Sequence, residues 1–129
     1  MARHNTLGKW GETIAVEYLI TQGYAIVETN WHIGRYEIDV IATKGNRMIF
    51  VEVKTRTAGE YDPLEAVDQR KKNHMVRSAD AYLRAKDLPY EAQFDIVTIV
   101  GDQHDYTLEH IPDAFLPSVV TRRGARYFP

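Results

Sequence analysis

Cysteine is absent from this chain of 129 residues, and so is any long apolar run. Without cysteine, disulfides and thiolate metal sites are both excluded. No stretch approaches the roughly 20 apolar residues that a membrane-spanning helix needs. Residues 1–5 lead into no apolar segment of the kind that a signal peptide contains. We therefore expect a cytoplasmic protein that does not enter a membrane.

A large excess of either sign of charge is also lacking, because 16 basic and 18 acidic side chains leave a net charge of −2. Such a balance does not by itself indicate a nucleic-acid binder. The positive charge is clustered, however, in residues 70–77 and again in residues 122–126. A nucleic-acid surface would then be local, and acidic residues elsewhere would be available as metal ligands.

The length and an ordinary composition, 44% hydrophobic and 26% charged, predict one globular domain over residues 1–129. We expect a flexible tail from about residue 117. Apolar periodicity and turn residues predict the order α-β-β-β-α-β-β, with helices at 6–22 and 62–86 and strands at 24–28, 36–43, 47–55, 94–100 and 106–111. This order favours an α/β domain with a central mixed sheet flanked by helices, with α+β as the alternative class.

The second and third strands flank a Gly-Asn pair at residues 45–46, which is a hairpin signal. A two-residue loop there would place Asp39 opposite Glu52, and Glu37 opposite Lys54. Because side chains alternate along a strand, all four would share one face of the hairpin. A register shift by one residue would separate them.

Opposed carboxylates at Asp39 and Glu52 repel each other unless a cation lies between them. Mg²⁺ or Mn²⁺ would meet that need, because both prefer hard oxygen ligands. Lys54 would then stabilise a pentacovalent phosphate or help to position an attacking water. The alternative is a solvated surface hairpin in which Glu37 and Lys54 form an ion pair. The pattern alone leaves both interpretations open.

Further candidates lie on other elements. Glu12 is at the edge of the inward face of the first helix, where small neighbours leave room for a further site carboxylate; an ordinary flanking glutamate is the alternative. On the second helix, Lys72 falls on the inward face, with Gln69 at its margin. An inward lysine needs an anionic partner unless its head reaches water. Asp95, inside an apolar strand, either faces the site or pairs with a basic neighbour.

Three blocks of residues carry a family resemblance: Gly11-Glu12 with Ala15 and Tyr18-Leu19, Glu37-Ile38-Asp39-Val40-Ile41, and Phe50-Val51-Glu52-Val53-Lys54-Thr55-Arg56. They closely resemble the YraN family, small bacterial proteins that are similar to the archaeal Holliday-junction resolvases of the PD-(D/E)xK nuclease superfamily. The resemblance covers about residues 8–115, and its Val-Glu-Val-Lys-Thr-Arg block is specific.

The resemblance implies a restriction-endonuclease-like α/β fold. Position by position it implies metal-site carboxylates at Glu12, Asp39 and Glu52, a catalytic lysine at Lys54, and accessory groups at Gln69 and Lys72. The chain departs from the family pattern at Tyr36, where glycine is usual. A bulky ring beside the metal strand would narrow the access of duplex DNA.

Our leading hypothesis is a nuclease that uses Mg²⁺ or Mn²⁺ to hydrolyse DNA phosphodiesters at branched structures, with Glu37 as a further accessory group. Contacts to the nucleic-acid backbone are expected from five basic residues, Arg35, Arg56, Arg70, Lys71 and Arg77. Cleavage of a four-way junction needs two active sites and hence a homodimer. The alternative is a non-catalytic nucleic-acid-binding or assembly module that keeps the fold.

Overall fold

The computed structural model of the protein describes residues 2–59 and 68–116. The element order confirms the prediction α-β-β-β-α-β-β, with α1 at Ala2–Thr21, β1 at Ala25–Ile33, β2 at Tyr36–Lys44, β3 at Arg47–Arg56, α2 at Gln69–Lys86, β4 at Glu91–Gly101 and β5 at Tyr106–Ile111. Neither helix in these described ranges is long and apolar enough to cross a membrane. The tail that was predicted from about residue 117 lies outside the described residues.

The five strands form one mixed sheet in the order β1-β2-β3-β4-β5. Only β3 and β4 are parallel, and the other neighbouring strands are antiparallel. Two parallel strands cannot be joined by a tight turn, so the connection that contains α2 crosses over one face of the sheet. The predicted α/β class with a central mixed sheet and flanking helices is therefore confirmed.

A separate apolar core lies on each face of the sheet. The α1 core packs Ala15 and Leu19 of the helix against Val40 and Val51. The α2 core includes Phe50, Met75, Val76, Ala79 and Tyr82. Because β3 is central, its successive side chains enter the two cores in turn, Phe50 on the α2 face and Val51 on the α1 face. This alternation decides where the polar residues that follow on β3 must lie.

Helix α2 begins later than the pattern predicted. The start predicted at Asp62 lies outside the described residues, but Asp68 has an extended backbone (φ −87°, ψ −175°), so no single helix runs from residue 62 to 86. Instead the Asp68 side chain accepts a hydrogen bond from the Lys71 amide at 3.0 Å, which makes Asp68 the N-cap. The expectation of one long helix was wrong because the chain contains a second aspartate suited to capping.

Strand β1 is longer than predicted, ending at Ile33 rather than at residue 28. Its pairing with β2 continues past Asn30, which adopts a left-handed conformation (φ 51°) and has no partner in the ladder. Asparagine tolerates this conformation better than most residues. The kink lies beside the part of β2 that carries Asp39.

Candidate functional site

The site forms where β2 and β3 separate. Their ladder has the predicted register from Lys44↔Arg47 to Val40↔Val51, and the pairing ends there. The ladder does not extend to Asp39 and Glu52, although the two carboxylates are near enough for the charge of Glu52 to raise the pKa of Asp39. Instead Asp39 Oδ2 accepts a hydrogen bond from the Val53 amide at 2.8 Å. A carboxylate thus takes the place of a backbone acceptor and sits in the gap between the strands.

Glu52 reaches this gap from the α2 face of the sheet. It follows Val51, which packs on the α1 side, and the alternation along β3 turns it toward α2. Only 9% of its surface is exposed. A carboxylate buried to this extent requires cationic or hydrogen-bonding partners.

Glu12 approaches from the opposite, α1 face. Its neighbour Gly11 lies so close to β3 that a Cβ atom there would overlap Thr55 Oγ1. The missing side chain therefore allows α1 to reach the strand just after Lys54. Asn30 Nδ2 donates a 2.7 Å hydrogen bond to Glu12 Oε1, which holds the carboxylate beside the kink in β1.

The three carboxylates interact electrostatically. Burial, then the charges of Glu52 and Glu12, raise the pKa of Asp39 to about 7, although the Val53 amide and Lys71 act in the opposite direction. The pKa of Glu12 is raised as well, first by burial and further by Glu52, against the effect of Asn30. Three acids supplied by α1, β2 and β3 therefore form one acidic cluster, in which the charge of Glu52 disfavours the ionisation of both Asp39 and Glu12.

Two lysines compensate part of this charge at Glu52. Lys71 Nζ lies 3.1 Å from Glu52 Oε2, and Lys54 Nζ lies 3.5 Å from the same oxygen. Burial lowers the pKa of Lys71, but Glu52, Asp39 and Glu37 outweigh it, so the net pKa is raised. The Lys71 ammonium group therefore stays charged at neutral pH.

The donor set has the oxygen chemistry that Mg²⁺ and Mn²⁺ prefer. One oxygen of Asp39 is occupied by the Val53 amide, and one oxygen of Glu52 by the two lysines. Within residues 2–59 and 68–116, no three acidic or imidazole groups lie close enough to enclose a metal ion. The residues fit a divalent cation in charge and in ligand type, but their arrangement, held by lysines and by the backbone, does not enclose one.

The structure does not bring every predicted accessory residue to this cluster. Lys72 Nζ lies 5.5 Å from the centre of the Phe115 ring, and Gln69 Nε2 donates to Asn73 Oδ1 along the exposed helix. Lys71 and not Lys72 contacts the carboxylate of Glu52, because one residue is a rotation of about 100° around a helix. Glu37 is exposed on β2, and its charge acts on Lys71.

The predicted nucleic-acid contacts divide among three places. A groove of about 490 Å³, here called the α2 groove, is lined by Glu37, Asp68, Arg70, Lys71, Asn73, His74 and Arg77. Arg56 lies with Lys54 and Glu12 in a separate cleft, and Arg35 is exposed in the turn between β1 and β2. The Tyr36 ring lies 6.1 Å from the His74 ring, so it packs toward α2 beside the groove.

Sequence reasoning left Asp95 undecided, and the structure places it away from the acidic cluster. It is fully buried and accepts four hydrogen bonds, from Tyr24 Oη (2.6 Å), His110 Nε2 (2.8 Å), Gln93 Nε2 (2.9 Å) and the Asp113 amide (2.9 Å). An aspartate inside an apolar strand must find such partners. That requirement was visible in the sequence, whereas the identity of the partners depends on the fold.

The fold and the site define a class of protein: an α/β domain in which three carboxylates and two lysines meet where two strands of a mixed sheet part. The model of a family described as "Uncharacterised protein family UPF0102" matches residues 11–99. The chain belongs to this family, the YraN family that its motifs indicated.

Bacterial relatives are similar over nearly the whole chain. A UPF0102 protein of Phocaeicola vulgatus is 43% identical over 120 residues, covering 92% of this chain and 99% of its own. One of Bacteroides thetaiotaomicron is 44% identical over 118 residues, covering 91% and 98%. One of Flavobacterium psychrophilum is 41% identical over 116 residues, covering 89% and 98%.

Proposed function

We propose that this protein is a divalent-metal-dependent nuclease that hydrolyses DNA phosphodiesters. The observation that carries the proposal is the meeting of Glu12, Asp39 and Glu52 from three separate elements, with Lys54 beside them. Clustered acids that oppose one another's ionisation are costly to a fold, and they are typical of sites that bind a cation or act on a substrate. The resemblance to PD-(D/E)xK nucleases leads to the same chemistry.

Glu12, Asp39 and Glu52 would hold Mg²⁺ or Mn²⁺. When bound, such an ion lowers the pKa of a coordinated water and neutralises negative charge on a phosphate. The chain's own contribution is orientation, because the Val53 amide fixes one oxygen of Asp39 and Asn30 fixes one oxygen of Glu12. Ligands fixed in this way lose little freedom when they bind.

Lys54 would be the catalytic lysine and Lys71 a positioning residue. Both contact Glu52 Oε2, but Lys54 also lines the cleft beside Glu12, where a phosphate group could approach it. Lys71 lies in the first turn of α2, and its backbone amide donates a hydrogen bond to the N-cap residue Asp68. It would therefore hold Glu52 in place while Lys54 donates to the phosphate or to the attacking water.

The basic residues of the α2 groove, Arg70, Lys71 and Arg77, would contact the nucleic-acid backbone, together with Arg56 and Arg35. Such contacts give affinity without sequence information, and they weaken as salt rises. A four-way junction would need two copies of the site, so a homodimer is part of the proposal for that substrate.

The test compares the wild type with Glu52→Gln on labelled linear, flapped and four-way-junction DNA in Mn²⁺ and in Mg²⁺. We expect the wild type to cleave at least one substrate and Glu52→Gln to lose roughly a hundredfold or more of that rate, since a metal-site carboxylate is removed. Glu109→Gln, an exposed change on β5, is the matched control and should cleave like the wild type.

A second candidate is a nucleic-acid-binding module without cleavage. Two observations favour it: the ring of Tyr36 beside the α2 groove, and the two lysines that already neutralise Glu52. In that case the wild type and Glu52→Gln would bind DNA equally, with the same salt dependence, and neither would cut it. Failure of both proteins to bind DNA would contradict both candidates.

A further inference from the structure

A second concavity adjoins the acidic cluster on the α1 side. This cleft of about 1040 Å³, here called the α1 cleft, is lined by the first half of α1, by residues 53–57 of β3 and its end, and by residues 102–104. It shares Glu12 and Lys54 with the site, and none of the α2-groove residues line it. Anything bound in it would lie directly beside the acidic cluster.

The walls of the α1 cleft are held by contacts within the protein. Trp10 packs edge-on against Tyr106 of β5, with the ring centres 5.3 Å apart and the planes at 84°. In the turn that contains lining residues 102–104, Asp102 Oδ1 accepts hydrogen bonds from the amides of His104 (2.8 Å) and Asp105 (3.0 Å), which shapes the turn. A cleft with supported walls binds a ligand at a lower entropic cost than a mobile loop does.

The chemistry of the α1 cleft is mixed. Trp10 offers an aromatic surface, Lys54 and Arg56 are cations on β3, and three threonines also line the cleft. Two acids, Glu12 and Asp102, line the α1 cleft as well. An aromatic ring next to cations is the combination with which proteins bind single-stranded nucleic acids, by base stacking and by phosphate contacts.

The size of the α1 cleft favours unpaired nucleotides. Small-molecule sites span roughly 300–1,000 Å³, so this volume has room for more than one nucleotide-sized group. A base that is paired and stacked in a duplex cannot offer its face to a side chain, whereas an unpaired base can.

We propose that the α1 cleft binds an unpaired nucleotide of the nucleic-acid substrate, with its base against Trp10 and its phosphate at Lys54 and Arg56. The inference rests on the proposed function, because it deepens the substrate class of that site. It assigns single-stranded segments to the α1 face and leaves the α2 groove to the sequence-independent backbone contacts. Trp10 is thereby a binding residue and not a catalytic one.

The test measures binding in EDTA, where no cleavage can occur. Labelled duplexes with a short single-stranded overhang are compared with the same duplexes carrying an abasic overhang, by fluorescence anisotropy at low salt. The wild type should prefer the overhang with bases by roughly 5- to 50-fold, as base–aromatic stacking predicts. Trp10→Ala should lose that preference, Trp10→Phe should keep most of it, and Arg77→Ala should weaken both overhangs equally.

Trp10 is one of two tryptophans, so Trp31→Phe leaves it as the sole indole fluorophore. Its emission should be quenched by an oligonucleotide with bases and not by an abasic one. The anisotropy comparison of normal and abasic overhangs uses the wild type. The base preference can therefore be measured even if Trp10→Ala is poorly folded.

Equal binding of normal and abasic overhangs by the wild type would overturn the inference, whatever the mutants do. The outcome for the nuclease proposal is separate. A base preference without cleavage in Mn²⁺ would support the nucleotide site in the α1 cleft and contradict the nuclease proposal. Cleavage without a base preference would support the nuclease proposal and contradict the nucleotide site. No DNA binding at all would contradict both.

Discussion

Asp39 occupies the gap between β2 and β3, where burial and the charges of Glu52 and Glu12 oppose its ionisation and raise its pKa to about 7. The usual value of 3.8 applies to the unfolded chain. Between about pH 4 and 7, therefore, the native state binds a proton that the unfolded state has released. The unfolding free energy falls as pH rises through this window, by at most about 1.4 kcal/mol per pH unit.

We expect Asp39→Asn to remove this slope, because an amide does not ionise while its oxygen can still accept from the Val53 amide. At pH 8 in EDTA the variant should be more stable than the wild type by about 1–3 kcal/mol, and at pH 4 the two should be similar. Urea unfolding at both pH values measures the difference. The control is Asp105→Asn, an exposed change that should follow the wild-type slope. A variant less stable than the wild type at pH 8 would contradict the argument.

Helix α1 delivers Glu12 to the site only because it can approach β3 closely at Gly11. A methyl group there would overlap Thr55 Oγ1, so we expect Gly11→Ala to lower the unfolding free energy by about 1–3 kcal/mol. Gly8→Ala is a matched control three residues earlier, where an added Cβ meets nothing within 4 Å. That change should be neutral or stabilise by up to about 1 kcal/mol, through helix propensity. Thermal unfolding of the two variants separates the effect of the contact with Thr55 from the effect of helix propensity. Equal stability of the two variants would argue against the close approach of α1 to β3.

The elements show which parts of the structure the sequence could predict. The β2–β3 register followed from the local Gly-Asn turn, and Gly45 does adopt a left-handed conformation (φ 65°). The separation of the strands beyond Val40 could not be predicted, because it depends on a hydrogen bond from Val53 to a side chain. The choice of Lys71 over Lys72 depended on the rotation of α2 about its axis, and a pattern fixes a helical face only to within about one residue.

At the scale of the whole molecule, the Asp95 carboxylate connects several elements on the α1 face of the sheet through hydrogen bonds. Its four donors come from β4 itself, from Tyr24 at the end of the α1 turn, from His110 on β5 and from the Asp113 amide. Tyr18 of α1 joins the network through its 3.1 Å contact with His110 Nδ1. The network lies outside the acidic cluster, so it serves stability and can be altered separately from the site.

We expect Asp95→Asn to lower the unfolding free energy by about 2–4 kcal/mol, because an amide cannot accept from all four donors and leaves buried polar groups unpaired. Asp113→Asn is the matched control, since only the backbone of that residue takes part, and its side chain is half exposed. It should change stability by less than about 1 kcal/mol. Chemical denaturation measures the unfolding free energy of both variants. Equal losses of stability would show that the turn at Asp113 matters and not the Asp95 carboxylate.

The acidic cluster and its cations come from α1, from the β2–β3 hairpin and from α2, three parts that are separated along the chain. Glu12 is supplied near the beginning, and Lys71 only after the crossover has been made. A partly synthesised or clipped chain that stops before α2 would therefore hold Glu52 without its closest counter-ion. Whatever chemistry this centre performs is withheld until more than half of the polypeptide has been made and assembled, and no shorter fragment is expected to show it.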